Sequence, residues 1–157
     1  MPRLPIRLTT AQIGRAGELL VQYRLLLLGI ESAPMSTDAG IDLVAYSSAV
    51  IKPTTIQVKT NLKPKPAGGK GKASLDWRMP DDSPSELHAL VDLLEQRVWL
   101  FKHTEISKLA QQHSGGKYHL YMYTDPTHEA KKLNRATHAY EYQRYLLENR
   151  ARSIFGV

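Results

Sequence analysis

Gly40-Ile41-Asp42-Leu43-Val44-Ala45, followed by Ile56-Gln57-Val58-Lys59-Thr60, is the stretch whose reading decides the fold. Both segments have the apolar, β-branched character of strands. Successive strand side chains point to opposite faces, so Gln57 and Lys59 share one. An antiparallel hairpin pairs residues of constant number-sum, and registers differing by two preserve facing. Setting Asp42 opposite either Gln57 or Lys59 therefore leaves all three on the same side. The other side then carries Ile41, Leu43, Ala45, Ile56 and Val58, a surface that must be buried. A carboxylate, an amide and an ammonium on one face of an otherwise apolar sheet are the groups that hold a divalent metal against a phosphodiester.

Upstream, Thr9-Thr10-Ala11-Gln12 has the form of a capping box, and a helix follows to about Leu28. Ile13, Gly17, Leu20, Val21, Leu27 and Leu28 form its apolar stripe, and Glu18 lies within it. Each interior glycine costs about 1 kcal/mol relative to alanine. Gly14, Ala16 and Gly17 therefore point to close approach of a sheet or ligand. Gly29 is a natural C-cap. Residues 31 to 40 read as a loop, and the hairpin turn falls between Ser47 and Pro53. Downstream, a Pro- and Gly-rich basic loop runs from Lys63 to Lys72. Strands follow at Ala73–Met79, Leu87–Asp92, Arg97–Phe101 and Tyr118–Thr124. Thr104 caps a short helix through Gln112, and an amphipathic helix runs from Ala136 to about Phe155. This order predicts an α/β domain with a mixed sheet and helices on its faces. Its core spans residues 9 to 125, and the terminal helix completes a single domain covering 1 to 157.

The 157 residues, 42% hydrophobic and 23% charged, suit a globular chain of that size. No run of about 18 uncharged apolar residues offers a membrane span. Met1-Pro2-Arg3-Leu4-Pro5 lacks the features of a secretory signal. Cysteine is absent, which excludes disulfides and thiolate metal sites and fits a reducing cytoplasm. The net charge of +6 favours anionic partners, nucleic acid above all. Lys63, Lys65, Lys70 and Lys72 concentrate part of that charge immediately after Lys59. They read either as a flexible arm touching phosphates or as a solubilising linker.

Gly14-Arg15-Ala16-Gly17-Glu18, Asp38-Ala39-Gly40-Ile41-Asp42-Leu43 and Gln57-Val58-Lys59 together resemble the PD-(D/E)xK nuclease superfamily. The resemblance is greatest to its small members similar to archaeal Holliday junction resolvases and to uncharacterised bacterial endonucleases. It covers roughly Thr10 to Thr60, and more loosely the strand ending Val98-Trp99-Leu100-Phe101. It implies a restriction-endonuclease-like three-layer fold, a central mixed β-sheet flanked by helices, and Mg²⁺-dependent hydrolysis of phosphodiester bonds. DNA is the implied substrate, branched or repair intermediates included; Mn²⁺ is a substitute metal and a homodimer the implied assembly. By the same resemblance Asp42 is the central metal ligand, Gln57 and the Val58 carbonyl complete the protein side, Glu18 approaches from the helix, and Lys59 orients the attacking water or stabilises developing charge. Gln57 stands where most members have glutamate. Its amide oxygen still suits a hard cation but brings no charge. The aspartate also lacks the proline that names the superfamily.

Plainer roles exist for each residue. Glu18 can be a solvated helix residue, Asp42 can satisfy a turn, Lys59 can pair with Asp42, and Gln57 can sit on an edge strand. Asp38 reads as a turn former before Gly40 rather than a ligand. The six histidines form no HxH or HxxxH pair, which argues against zinc, and His88 reads as a core histidine. Tyr118, Tyr121 and Tyr123 can stack on bases, although a strand rich in tyrosine is more often core and rim packing, and Trp77 and Trp99 read as core. A catalytically silent nucleic-acid-binding module and an RNA-processing nuclease remain as alternatives.

Overall fold

The computed structural model describes residues 7–37, 39–130 and 134–157, with backbone alone at Val50 and Ile51. Asp38 and the N-terminal Met1 to Pro5, both read above, lie outside the described residues. In chain order the elements are α1 (Thr10–Leu26), β1 (Glu31–Pro34), β2 (Leu43–Ser47), β3 (Val50–Asn61), β4 (Lys65–Pro66), β5 (Ala73–Pro80), β6 (Leu87–Asp92), β7 (Arg97–Lys102), α2 (His103–Leu109), β8 (Gln112–Ser114), β9 (Lys117–Tyr123) and α3 (Leu147–Phe155). A 3-10 segment, Ala139–Tyr145, precedes α3.

The central sheet has the order β1-β2-β3-β6-β7. Only β3 and β6 are parallel, so the sheet is mixed, as the sequence predicts. β2 pairs with β3 through Leu43 opposite Ile56 and Val44 opposite Thr55. The next step of that register sets Asp42 opposite Gln57. Leu43, Ala45 and Ile56 are fully buried in a core with Val21 and Leu25 of α1 and Leu147, Ala151 and Phe155 of α3. The other face of the sheet carries Leu90, Trp99 and Phe101, and it packs on α2 and on a second sheet, β4-β5-β9-β8, antiparallel throughout. Trp77 and Trp99 meet edge to face across this interface at 5.7 Å, which places both in the core as expected. No helix among the described residues is long and apolar enough to cross a membrane.

The capping box at Thr9 forms: its hydroxyl accepts from the Gln12 N–H (3.1 Å) and the Gln12 side chain accepts from the Thr9 N–H (2.9 Å). Other expectations need correction. The loop expected over 31 to 40 contains β1, which pairs with β2. The basic stretch from Lys63 to Lys72 is not a plain arm, because Lys65 and Pro66 pair with β5 and Ala67–Gly69 form a 3-10 turn. The second helix starts at His103, with Glu105 accepting from the Lys102 N–H, and ends at Leu109 instead of Gln112. The terminal helix is confined to Leu147–Phe155. Ala139, Tyr142 and Tyr145 recur every third residue, and only a 3-10 segment stacks that spacing on one side. There Tyr145 stacks on Phe101 at 4.6 Å and Tyr142 meets it edge-on at 6.0 Å.

Helix α1 crosses β3 at Gly17. A methyl group built there would lie 1.8 Å from the Thr60 hydroxyl oxygen, so this contact sets how near α1 can come. In an open helix Gly→Ala stabilises by about 1 kcal/mol. Here the sign reverses: Gly17→Ala should destabilise by about 1–3 kcal/mol through overpacking. Adding Thr60→Gly should recover part of the loss. Urea melts of the two variants check both signs.

Candidate metal and phosphodiester site

Asp42 sits where β2 and β3 part. Its backbone is held on both sides: its N–H donates to the Ile56 carbonyl (2.9 Å), and its carbonyl accepts from the Met35 N–H (3.0 Å). The loop leading to it is fixed from the segment just before β6. The Ser85 hydroxyl donates to the Gly40 carbonyl (2.6 Å). Gly40 has φ +84° with Pro84 close enough to contact an added Cβ at 3.0 Å, a position that only glycine fills without strain. The Asp42 carboxylate then accepts from the Val58 N–H at 2.7 Å. A carboxylate thus takes the place of a backbone partner in the ladder, and its position is tied to β3. A strand residue's N–H and C=O leave by the same edge, so the Val58 carbonyl also faces the Asp42 side.

Gln57 and Lys59 project from the face opposite Ile56 and Val58, towards the second sheet. Gln57 is 5% exposed and its Oε1 has no hydrogen-bond partner. A buried acceptor left unpaired costs about 1–3 kcal/mol, so this oxygen is a site in want of a donor or a cation. Lys59 and Asp42 are half-buried. Glu18 follows Gly17 at the crossing of α1 over β3, and its carboxylate takes Arg15 at 2.8 Å. The structure therefore brings Asp42, Gln57, Val58 and Lys59 to one short segment of β2 and β3. It sets Glu18 on α1, which packs on the Ile56 and Thr60 face of the sheet, across from Gln57 and Lys59, and pairs it with Arg15. Lys63, Lys65 and Lys70 are exposed and Lys72 is half-buried, its ammonium 5.9 Å from the Tyr123 ring centre.

Among the described residues no cluster of three or more His, Asp or Glu side chains is placed to hold a metal. The donors gathered here are instead a carboxylate, an amide oxygen and a backbone carbonyl. All are oxygens, the set that suits Mg²⁺, and the orphaned Gln57 Oε1 is the observation that fits this ion to the site.

His88 completes the surroundings. It pairs in register with Gln57 across the parallel β3–β6 junction and is fully buried. The sequence places it in the core, and so it lies, but it has a partner 15 residues on. His88 Nε2 lies 2.8 Å from His103 Nδ1, and His103 Nε2 lies 2.9 Å from the Asp81 carbonyl. A carbonyl only accepts, so with both rings neutral the tautomers follow: His103 donates through Nε2, and His88 donates to His103. His88 Nδ1 is then a bare acceptor, buried and unpartnered like Gln57 Oε1. Burial, then the charges of His103 and Lys59, push the His88 pKa down to about 3. The ring is therefore neutral at neutral and mildly acidic pH.

No family model matches the chain, and no curated protein matches it either. Among solved structures it is similar to a bacterial homing endonuclease, I-Ssp6803I. The TM-score is 0.54 at 17% sequence identity, over 85% of this chain and 86% of that one. At that identity the likeness is one of fold, spread over nearly the whole of both chains.

The depressed His88 pKa carries a pH consequence. An unfolded histidine gains its proton near 6.5, whereas the folded one resists until about 3. Between those values the unfolded chain binds more protons, so stability falls as pH drops, by up to about 1.4 kcal/mol per pH unit for this group. His88→Gln should make the decline between pH 6 and pH 4 shallower by close to one proton, measured from denaturant midpoints across that range. An unaltered slope would mean that His88 is not held neutral by the fold.

Proposed function

We propose that the chain is a Mg²⁺-dependent endonuclease of the PD-(D/E)xK kind that hydrolyses phosphodiester bonds in DNA. One observation carries the reading. The Gln57 amide oxygen is buried and unpartnered beside a carboxylate anchored to the same strand, in a chain of net charge +6. The fold shared with a homing endonuclease supports it. When bound, Mg²⁺ supplies charge neutralisation at the phosphate and acidifies water.

Each residue's part follows from its setting. Asp42 holds the cation, with its carboxylate kept in place by the Val58 N–H. The Gln57 oxygen and the Val58 carbonyl complete the protein's share of ligands. Glu18 lies on α1 against the opposite face of the sheet from Gln57 and Lys59, so its part is at the Asp42 edge and through water, after releasing Arg15. Lys59 is a compact ammonium on the Gln57 face that orients the attacking water or meets the charge developing on the phosphate. His88, fixed as an acceptor on the adjacent strand, keeps the pocket beside Lys59 free of a competing positive charge. A homodimer placing two such sites on two strands fits the same reading. An amide in place of a carboxylate at Gln57 is the feature that favours the second reading, a silent nucleic-acid-binding module.

Asp42→Ala and Lys59→Ala should each abolish cleavage of DNA in Mg²⁺ or Mn²⁺ while leaving the fold and most DNA binding intact. Both act on the transition state more than on ground-state binding. Full activity in either purified variant would sink the assignment. Gln57→Glu should lower the Mg²⁺ concentration for half-maximal cleavage, and Gln57→Leu should raise it. If neither shifts the metal requirement, Gln57 is not a ligand.

A further inference from the structure

The second sheet turns Leu75, Trp77 and Met79 of β5 and Leu120 and Met122 of β9 into the core. Period-two alternation then fixes what its other face must show. The register aligns Asp76 with Tyr121, and Arg78 with His119, which in turn faces Gln112 on β8. Beyond Tyr121 the next outward residue of β9 is Tyr123. Arg78, Asp76 and Gln112 are exposed, and the three rings on β9 are half-buried.

These rings form a continuous row. Centroid separations are 5.9 Å from His119 to Tyr121, 5.5 Å from Tyr121 to Tyr123, 5.6 Å from Tyr123 to His138 and 5.4 Å from His138 to Tyr140. The Lys72 ammonium lies over Tyr123. The turn at Lys65–Gly69 rises along one side of the row, so the face is a concave cleft of about 900 Å³. The cleft is tied to the candidate site by a short link. Two residues past Lys59, the Asn61 amide donates to the Asp76 carbonyl at 2.7 Å.

We infer that this outer face of the second sheet binds unpaired nucleotides of the substrate nucleic acid, stacking their bases on Tyr121 and Tyr123. The inference rests on the nuclease reading for the class of ligand. Three features select the occupant. Rows of aromatic rings flanked by lysine and arginine match the two components of a nucleic-acid strand, flat bases and anionic phosphates. Arg78, Gln112 and Asp76 offer donors and acceptors of the kinds that pair with base edges. The shape decides between paired and unpaired bases. Reading a duplex by its major groove needs a protruding helix or ribbon, whereas a concavity floored by rings admits bases already out of the stack. Asp76 is the acid among the described residues that line the cleft and is unfavourable to phosphate there, which places the backbone along the Lys65, Lys72 and Arg78 margins.

The test is fluorescence anisotropy with a labelled single strand and with its duplex, in EDTA so that cleavage cannot intervene. The proteins are the full chain, Tyr121→Ala/Tyr123→Ala and Tyr121→Phe/Tyr123→Phe. Thermal melts confirm that the variants fold. The alanine pair should weaken single-strand binding by about 10-fold or more per stacked base. The phenylalanine pair, which keeps the rings, should bind within a few-fold of the parent, and duplex affinity should change little. Unchanged single-strand binding by the alanine pair overturns the inference while leaving the nuclease reading intact. So does a loss confined to the duplex. A parent chain that binds and cleaves no nucleic acid of either form overturns both.

Discussion

One hydrogen bond organises the site: the Asp42 carboxylate on the Val58 N–H. Backbone groups join the two strands as far as the Asp42 N–H, which donates to the Ile56 carbonyl, and at Val58 the Asp42 side chain takes over. That substitution opens the sheet without leaving the Val58 N–H orphaned, which burial would penalise by about 1–3 kcal/mol. It also ties a carboxylate to the strand that carries Gln57 and Lys59. The surrounding structure serves to keep Asp42 there. Met35 and Ile56 hold its backbone, Ser85 and Pro84 hold the loop before it, and Gly17 lets α1 lie close beside Thr60.

The central hairpin was legible because a strand's period of two leaves little choice. Once Leu43 and Ile56 face the core, Gln57 and Lys59 must face away from it. The helix start at Thr9 was legible for a similar reason, since a capping box is a local exchange of hydrogen bonds. What escaped was non-local. β1, β4 and β8 are edge strands of two to four residues whose pairing depends on a neighbour rather than on their own pattern. The bond between His88 and His103 depends on β6 and the start of α2 meeting, and no spacing rule announces it. The sequence leaves packing and base stacking both open for Tyr121 and Tyr123, because tyrosine is common in strands. Which face they occupy depends on the pairing of β5 with β9, which turns Trp77, Leu120 and Met122 inside.

The two faces of the central sheet divide the labour. On one, α1 and α3 close a conventional aliphatic core. On the other, a more aromatic core built from Trp77, Trp99, Phe101, Tyr142 and Tyr145 supports the second sheet. The polar residues Gln57, Lys59 and His88 enter from that second side, so an apolar sandwich surrounds them and raises the cost of any unpaired atom. Gln57 Oε1 and His88 Nδ1 are two of the buried polar atoms that bear this cost, and they lie on neighbouring strands at the same register.

The most direct test is a crystal grown in Mn²⁺ and measured for anomalous scattering. A metal peak within about 2.0–2.6 Å of both an Asp42 carboxylate oxygen and Gln57 Oε1 is the predicted result. A peak held by the His88–His103 pair instead, or no peak beside Asp42 at saturating Mn²⁺, would contradict the account.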